Sequence, residues 1–190
     1  GGGVVGVNAA KMAVGLGARV TVFDSSVPRL RYLSDTFGNT ISTRYSNNAI
    51  LADAVTQADM VIGAVLVPGA SAPKLVSKAQ LATMKSGAAL VDVAIDQGGC
   101  FETSRPTTHD EPTYLVDGIV HYCVANMPGS VPRTSSEALN NATLPHVIAL
   151  AEKGVKALDD DQHLANGLNV IGHKIVYQAV IDAIGARPEA

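Results

Sequence analysis

The stretch that decides the fold is GGGVVGVNAAKMAVGLGA, Gly1–Ala18, and RVTVFD, Arg19–Asp24, follows it directly. Gly1, Gly3 and Gly6 form a G-x-G-x-x-G pattern in front of an Ala-rich segment that is typical of a helix. Glycine at these positions permits a tight turn, close approach of the backbone to a pyrophosphate, and close packing of a helix on a strand. The pattern therefore predicts a phosphate bound by backbone N–H groups at the positive end of the helix dipole. The spacing alone also fits a glycine turn without a ligand.

Asp24 is the acidic residue that strengthens this interpretation. It ends a β-branched run at nearly the separation of about 20 residues from the glycine motif at which an acid binds ribose hydroxyls. A carboxylate there repels a 2′-phosphate, so the sequence favours NAD over NADP as the dinucleotide. The alternative is an aspartate that merely ends a strand. The strand that should precede Gly1 is missing, and we expect that the chain begins inside a protein.

Short apolar runs alternate with helical patterns through the first two thirds of the chain. The predicted strands are Arg19–Asp24, Met60–Val65, Ala88–Val93 and His121–Ala125. The predicted helices are Val5–Leu16, Pro28–Phe37, Ala49–Gln57 and Ala79–Met84. This alternation predicts an α/β fold with a Rossmann-type, doubly wound parallel sheet.

The last third of the chain differs in pattern. Gln97–Asp117 has no periodicity and is expected to be an irregular, functional or mobile segment. Beyond it we predict a helix over Ser135–Lys153 that Pro145 splits in two, a solvated turn at Asp159–Asp161, and a last helix over Ile175–Ile184. These changes predict a dinucleotide-binding domain over residues 1–132 and a helical segment of a second domain over residues 133–190.

Composition excludes several classes of function. The chain has 190 residues, with 47% hydrophobic and 16% charged residues, which suits a packed domain and excludes a disordered chain. A net charge of −3 provides no basic field for nucleic acid or anionic lipid, and no apolar run is long enough to span a membrane. Cys100 and Cys123 form no CxxC pair, and the five histidines show no metal-ligand spacing. We therefore expect no nucleic-acid or membrane partner, no metal, and a reducing compartment.

Three loops follow predicted strands and should meet at the ligand-binding edge of the sheet. They begin at Leu66, Ala94 and Asn126, and each turns on glycine or proline. Asp96, beside two glycines, is the candidate for a proton-handling or cation-stabilising role. Asp92 lies inside a strand, where a structural role is favoured. By position alone, the loops also fit simple connections.

Four longer runs resemble the C-terminal half of the alanine dehydrogenases. They are GGGVVGVNAAKMAVGLGA (Gly1–Ala18), IGAVLVPGASAPKLV (Ile62–Val76), VDVAIDQGGCFETSRPTTHDEPTY (Val91–Tyr114) and HYCVANMPGSVPRTSSEALNNATLP (His121–Pro145). The resemblance covers essentially the whole chain. The run from Val91 to Tyr114 is far more specific than the glycine motif.

The resemblance implies reversible, NAD-dependent oxidative deamination of L-alanine to pyruvate and ammonium, with hydride passing to the nicotinamide. It implies that Asp96 is the catalytic acid, that Asp24 binds ribose, and that Ser46 lies near the adenosine. The glycine motif, the strand ends and the resemblance together predict these cofactor contacts: Gly1, Gly3, Val4, Val5, Gly6, Asp24, Arg29, Ser46, Val65, Leu66, Val93, Ala94, Ile95, Arg105, Val124, Ala125, Asn126 and Met127.

The family's substrate-binding Arg, Lys and His belong to an N-terminal domain that no part of this chain matches. We therefore expect that this chain alone cannot turn over alanine, and that the protein is a cytoplasmic homo-oligomer, a hexamer by resemblance. Three alternatives stay open: the NAD-binding subunit of a proton-translocating transhydrogenase, a related amino-acid dehydrogenase, and a non-catalytic NAD-binding module. The last would not need Asp96.

Overall fold

A computed structural model of the chain describes residues 1–65 and 72–184. The chain divides into two compact units, Gly1–Met127 and Pro128–Ala190. The first unit contains α1 (Val4–Gly15), β1 (Val20–Asp24), α2 (Val27–Phe37), β2 (Ile41–Tyr45), α3 (Asn48–Gln57), β3 (Met60–Gly63), α4 (Lys78–Leu81), β4 (Ala89–Asp92), β5 (Thr113–Val116) and β6 (Ile119–Tyr122).

The strands of the first unit form two sheets. In one sheet β1 pairs in parallel with β2, with Asp24 opposite Tyr45. In the other, the strand order is β3-β4-β6-β5, where β3, β4 and β6 are parallel and β5 is an antiparallel edge. The predicted α/β fold with parallel strands and covering helices is confirmed. Two strands were not predicted. β2 has no fully buried residue, and β5 lies inside the segment expected to be irregular.

Two apolar clusters hold these layers together. Val7 and Ala10 on α1 pack with Val22 of β1 and with Leu33 of α2. The second cluster surrounds β4 and includes Val55, Leu81, Leu90, Phe101 and Ile119. Each cluster places its helices against a sheet, so that the carboxyl ends of the parallel strands stay open for loops.

Several predicted boundaries move by a few residues. The strand predicted over Met60–Val65 ends at Gly63, and the one predicted over Ala88–Val93 ends at Asp92. The strand predicted over His121–Ala125 lies earlier, at Ile119–Tyr122, because its pairing with β4 places Val120 opposite Ala89. The predicted helix over Ala79–Met84 is the single turn Lys78–Leu81.

The segment Gln97–Asp117 is irregular only in part: residues 98–112 form no helix or strand apart from two isolated bridges, whereas Thr113–Val116 form β5. Besides β5, it forms parallel bridges between Val76 and Phe101 and between Thr107 and Val124. Phe101 and Thr107 are buried. Pairing with distant segments orders this stretch, and local periodicity does not reveal such pairing.

The second unit contains α5 (Pro132–Lys153), α6 (Ala157–Asp160), α7 (Gln162–Ala165), a hairpin of β7 (Val170–Ile171) with β8 (Lys174–Ile175), and α8 (Gln178–Ile184). Pro145 does not split α5, so that prediction was wrong. Proline removes one helical hydrogen bond, and the bonds on either side carry the helix through.

The acidic run and the last helix also differ from expectation. Asp159 and Asp160 belong to α6, and Asp161 caps α7 by accepting hydrogen bonds from the N–H groups of His163 and Leu164. Ile175 lies in β8, so α8 starts only at Gln178. No helix within the described residues is long and apolar enough to cross a membrane.

Candidate functional site

The glycine loop is built by two steric constraints. A Cβ at Gly6 would overlap the carbonyl oxygen of Gly1, and a Cβ at Gly1 would lie 2.6 Å from the carbonyl oxygen of Ala64. Both obstacles are backbone atoms, which cannot swing aside. A Cβ at Gly3 would meet no described atom within 4 Å. The loop therefore packs tightly against the end of β3 on one side and faces open space at Gly3.

The first turn of α1 presents donors to that open space. Val7 N–H donates to Gly3 O at 2.9 Å, so the N–H groups of Val4, Val5 and Gly6 lie before the first helical hydrogen bond. Val4 is 78% exposed, and the turn carries no acidic side chain. These donors and the helix dipole make this end of α1 suited to an anion.

Asp24 lies directly beside the glycine loop. Its Oδ2 accepts the Gly2 N–H at 2.8 Å, and its Oδ1 accepts the Ser26 N–H at 2.8 Å. A carboxylate has about four lone-pair positions, so both oxygens can accept further hydrogen bonds. The carboxylate is therefore oriented by the backbone and still able to bind two hydroxyl groups.

Gly2 is a site residue that the sequence motif did not single out. It is buried, and a Cβ there would lie 2.7 Å from Leu33 Cδ1 and 3.2 Å from Asp24 Oδ2. Its carbonyl accepts a hydrogen bond from Arg29 Nε, and the Arg29 guanidinium lies 4.6 Å from the centre of the Tyr32 ring. Three consecutive glycines were the available signal, since only the first and third belong to the G-x-G-x-x-G pattern.

The ends of β2 and β3 carry further predicted residues. The Ser46 N–H donates to the Asp24 carbonyl at 3.0 Å, which places half-buried Ser46 next to the predicted ribose acid. Val65 follows β3 and is also half-buried. Leu66, another predicted contact, lies outside the described residues.

Asp96 lies on a short 3-10 helix, Val93–Gln97, that leaves β4. Ala94 and Ile95 are buried and anchor this turn, whereas Asp96 is exposed. Within the described part of the chain, its carboxylate makes no hydrogen bond or ion pair. The structure thus presents Asp96 as a free carboxylate on an anchored turn.

Asp92 is the buried counterpart of Asp96. Its side chain is 0% exposed and accepts hydrogen bonds from Cys100 N (2.9 Å), Phe101 N (3.3 Å) and Ser104 Oγ. Burial, together with the neighbouring Asp92, raises the pKa of the Cys100 thiol to about 12. Cys100 is therefore a neutral thiol near pH 7, and Asp92 joins the start of the loop to its return.

Arg105 is held over an aromatic ring at the same end of the sheet. Its guanidinium lies 4.0 Å from the centre of the Tyr114 ring, and the backbone N–H of Arg105 donates to Tyr114 Oη at 2.8 Å. Tyr114 Oη donates to Thr103 O at 2.9 Å, and the ring stacks on His121 at 4.8 Å. Burial, together with the hydrogen-bonded Cys123 thiol, raises the pKa of Tyr114. The exposed Arg105 thus rests on a neutral, hydrogen-bonded support.

His121 belongs to this support and carries no charge. Its Nδ1 donates to Ile119 O at 3.0 Å, and its Nε2 accepts from Thr103 Oγ1 at 2.8 Å. Burial lowers the pKa of His121, and the carbonyl of Ile119 opposes that shift only in part. The neutral imidazole is consistent with a role in packing.

The remaining predicted contacts follow β6. Val124 is buried, Ala125 is half-buried, and Asn126 is exposed with a φ of +58°. The Asn126 carbonyl accepts a hydrogen bond from His109 Nε2 at 2.9 Å, so His109 supports this turn. Met127 begins a 3-10 helix, Met127–Ser130.

The glycine loop, Asp24 and the Asp96 turn lie at the carboxyl ends of parallel strands of the two sheets. Gly2 contacts Asp24 at the end of β1, Gly1 packs on Ala64 after β3, and β3 pairs with β4, from which the Asp96 turn emerges. The carboxyl ends of parallel strands are where open α/β sheets bind ligands. The arrangement suits an extended ligand with an anionic middle and hydroxyl groups at one end.

Comparisons with known proteins identify the family. The family model "Alanine dehydrogenase/PNT, C-terminal domain" matches residues 1–178. Alanine dehydrogenase from Halomonas elongata is 63% identical over 186 residues, 97% of this chain and 50% of that protein. The Bacillus subtilis alanine dehydrogenase is 56% identical over 187 residues, again 97% of this chain and 50% of that protein. The chain thus spans about half the length of these curated relatives.

Solved structures agree. An L-alanine dehydrogenase structure matches with a TM-score of 0.87 and 56% identity, covering 97% of this chain and 51% of that chain. A transhydrogenase from Sinorhizobium meliloti matches with a TM-score of 0.68 and 28% identity, covering 83% and 44%. The resemblance seen in the sequence is confirmed, and the chain belongs to the alanine dehydrogenase/PNT C-terminal domain family.

Proposed function

We propose that this chain is the cofactor-binding half of an NAD-dependent L-alanine dehydrogenase. The reaction is the reversible conversion of L-alanine, NAD and water to pyruvate, ammonium and NADH. The observation that carries the proposal is the hydrogen bond from Gly2 to Asp24, which joins the predicted phosphate loop to the predicted ribose-binding acid. The high identity to alanine dehydrogenases over nearly the whole chain supports this choice of substrate.

The residues present fit a dinucleotide. The open space at Gly3 and the donors of Val4, Val5 and Gly6 suit a pyrophosphate. The two oriented oxygens of Asp24 suit the ribose hydroxyls and repel a 2′-phosphate, which favours NAD over NADP. In the same proposal Arg29 and Ser46 contact the adenosine end.

The nicotinamide end of the proposed site lies along β3, β4 and β6. NAD, when bound, supplies the acceptor for the hydride that leaves the alanine Cα. The residues proposed to line this end are Val65, Leu66, Val93, Ala94, Ile95, Arg105, Val124, Ala125, Asn126 and Met127. Among them, Arg105 is exposed over the Tyr114 ring and offers a cation to the cleft.

Asp96 carries the proton chemistry in this proposal. Its carboxylate is exposed and unpaired within the described residues, so it is free to face a substrate. A negative charge there stabilises the iminium cation formed when the amino acid loses hydride. The same carboxylate holds and returns a proton as water adds and ammonia leaves.

Residues 133–190 are proposed to complete a second, catalytic domain. None of the 22 residues of α5 is buried, and Leu139 (65% exposed) and Val147 (56%) lie open on it. Exposed apolar surface of this kind marks an interaction site. We place the substrate-holding groups outside this chain and propose a homo-oligomer, a hexamer by family resemblance. The free, buried thiols of Cys100 and Cys123 suit a reducing cytoplasm.

The transhydrogenase alternative has less support. Its likeness rests on 28% identity over 83% of the chain, against 56% identity over 97% for the alanine dehydrogenase structure. Both readings keep the glycine loop and Asp24. A substrate test separates them, because only an alanine dehydrogenase couples alanine oxidation to NAD reduction.

The test uses the full-length protein that carries this chain. NAD reduction with L-alanine is followed at about 340 nm, where the reduced cofactor absorbs. In a separate experiment, NADH and NADPH binding are titrated by nicotinamide fluorescence. We expect alanine-dependent reduction and a clear preference for NADH. Tight NADH binding without alanine-dependent reduction would contradict the substrate, and equal affinity for NADPH would contradict the role of Asp24.

A further inference from the structure

Lys74 donates hydrogen bonds to the backbone that follows the Asp96 turn. Its Nζ donates to the carbonyl oxygen of Gly98 at 2.6 Å and to that of Gly99 at 2.8 Å. Both glycines have positive φ, +85° and +74°, which L side chains rarely adopt. One ammonium group thus holds two consecutive carbonyls, both on glycines in the left-handed backbone conformation.

Asp92 holds the same stretch of backbone by accepting hydrogen bonds from it. Its Oδ2 accepts the N–H of Cys100, and a Cβ on Gly99 would lie only 2.8 Å from that oxygen. The backbone of Ala72–Leu75 runs alongside, with Ala72 N–H donating to Gln97 O at 3.0 Å and Leu75 N–H donating to Cys100 O at 2.7 Å. The loop is therefore held both by the buried side chain of Asp92 and by the exposed ammonium of Lys74.

The Asp96 side chain is not held by contacts of its own within the described residues. Its carboxylate makes no bond within residues 1–65 and 72–184, so its position follows from the backbone of Val93–Gly99. The buried side chains of Ala94 and Ile95 secure the start of this stretch. The return is secured by Gly98 and Gly99, and these are the residues that Lys74 contacts.

We propose that Lys74 is a positioning residue, whose ammonium clamps Gly98 and Gly99 and thereby sets the place of the Asp96 carboxylate during the reaction. The inference rests on the proposed function, since it takes Asp96 to be the reacting acid. Its physical basis is that a misplacement of about 1 Å can cost a reaction about a hundredfold. Lys74 is exposed, so replacing it leaves the core intact.

The test compares Lys74→Met, Lys74→Arg and Lys85→Met in the full-length protein. Lys85 is the matched control, because its Nζ also has an oxygen partner, Asp59 at 2.8 Å, but lies away from the loop. We expect Lys74→Met to lower kcat about tenfold with KM for alanine and for NAD nearly unchanged. Arginine can also donate to two carbonyls, so Lys74→Arg should restore most of kcat. Lys85→Met should match the parent, and all melting temperatures should agree within about 2 °C.

A second readout does not depend on turnover. Hydrogen–deuterium exchange of the peptide covering residues 93–101 should speed up in Lys74→Met, while exchange across β5 and β6 stays as in the parent. Unchanged exchange at residues 93–101 would overturn the clamp, even in a protein without alanine activity. Unchanged kcat, or a raised KM with normal kcat, would overturn the positioning role and in the second case make Lys74 a substrate contact.

Failure of the proposed function has a different signature. A parent protein that binds NADH but never oxidises alanine contradicts that function and removes the catalytic part of this inference with it. An active parent with an indifferent Lys74→Met variant contradicts this inference alone.

Discussion

Asp24 ends β1 and Asp96 follows β4, strands of two different sheets, and the structure holds the two acids in opposite ways. Both oxygens of Asp24 are oriented by backbone N–H groups of Gly2 and Ser26. The carboxylate of Asp96 is unpaired within the described residues, and only its backbone is fixed. An acid that binds hydroxyl groups profits from fixed lone pairs, whereas an acid that exchanges protons needs a carboxylate free to act. In the proposed function, the oriented Asp24 and the unpaired Asp96 each have the support that their different roles require.

The largest effect should come from removing the free carboxylate. We expect Asp96→Asn in the full-length protein to lower alanine-dependent kcat by about a thousandfold, since general acid–base groups contribute about 10² to 10⁴. NADH affinity should change less than about twofold, because Asp96 does not orient the cofactor in this proposal. Steady-state kinetics and fluorescence titration measure the two quantities. A variant with normal kcat would remove Asp96 from the mechanism and favour a non-catalytic NAD-binding module.

The second effect is a difference in stability between substitutions at Gly6 and at Gly3, the last two glycines of the G-x-G-x-x-G pattern. Gly6→Ala should lower the free energy of unfolding by about 3 kcal/mol, because the new Cβ meets the Gly1 carbonyl, a backbone atom that cannot move aside. Gly3→Ala is the matched control, since a Cβ there meets open space, and it should cost about 1 kcal/mol or less. Urea unfolding followed by circular dichroism gives both values. Equal losses for the two variants would contradict the described loop.

The third effect tests the oriented acid. Asp24→Ser should weaken NADH binding about tenfold and narrow the preference over NADPH, because it removes both the ribose acceptors and the charge that repels a 2′-phosphate. Asp24→Asn is the control, because it removes the charge but keeps the side-chain shape and one of the two acceptor oxygens. It should narrow the preference for NADH over NADPH while disturbing the glycine loop less than Asp24→Ser does. Paired NADH and NADPH titrations decide the matter. An unchanged preference in both variants would mean that Asp24 does not face the ribose.

The smallest effect concerns the support beneath Arg105. Burial lowers the pKa of His121 below its ordinary value of 6.5. At a pH below 6.5, His121 therefore binds a proton more readily in the unfolded chain than in the folded protein. The free energy of unfolding should therefore fall as the pH drops through and below 6.5. His121→Gln should flatten this dependence when urea unfolding is compared at about pH 7.5 and about pH 5.5. An identical pH slope in parent and variant would show that His121 accepts its proton freely in the fold.

The two acids also differ in what sequence alone could say about them. Asp24 was predictable because a glycine motif, a helix and a strand at fixed spacing are local patterns. The hydrogen bond from Gly2 that orients it was not, because the middle residue of G-x-G carries no signal of its own. For Asp96, position after a strand and beside two glycines suggested a site, and family resemblance named its role.

The support of Asp96 was beyond sequence reasoning. Lys74 and Gly98 are separated by 24 residues, and neither lysine nor glycine is unusual at the surface. β5 and the bridges at Phe101 and Thr107 were missed for the same reason, since their order comes from pairing with distant strands. For Pro145 the sequence predicted a break that does not occur. The helical hydrogen bonds on either side of the proline keep α5 continuous.

The sequence by itself determined the fold class and the glycine loop, and it predicted Asp24 and Asp96 as site residues. These features rest on residue types and spacings within about 30 positions, where backbone sterics and periodicity dominate. Only the tertiary structure decided how those acids are held, through Gly2 and Ser26 for one, and through Asp92 and Lys74 for the other's loop. Hydrogen bonds between distant segments depend on where the chain returns, and a return path is a property of the packed molecule.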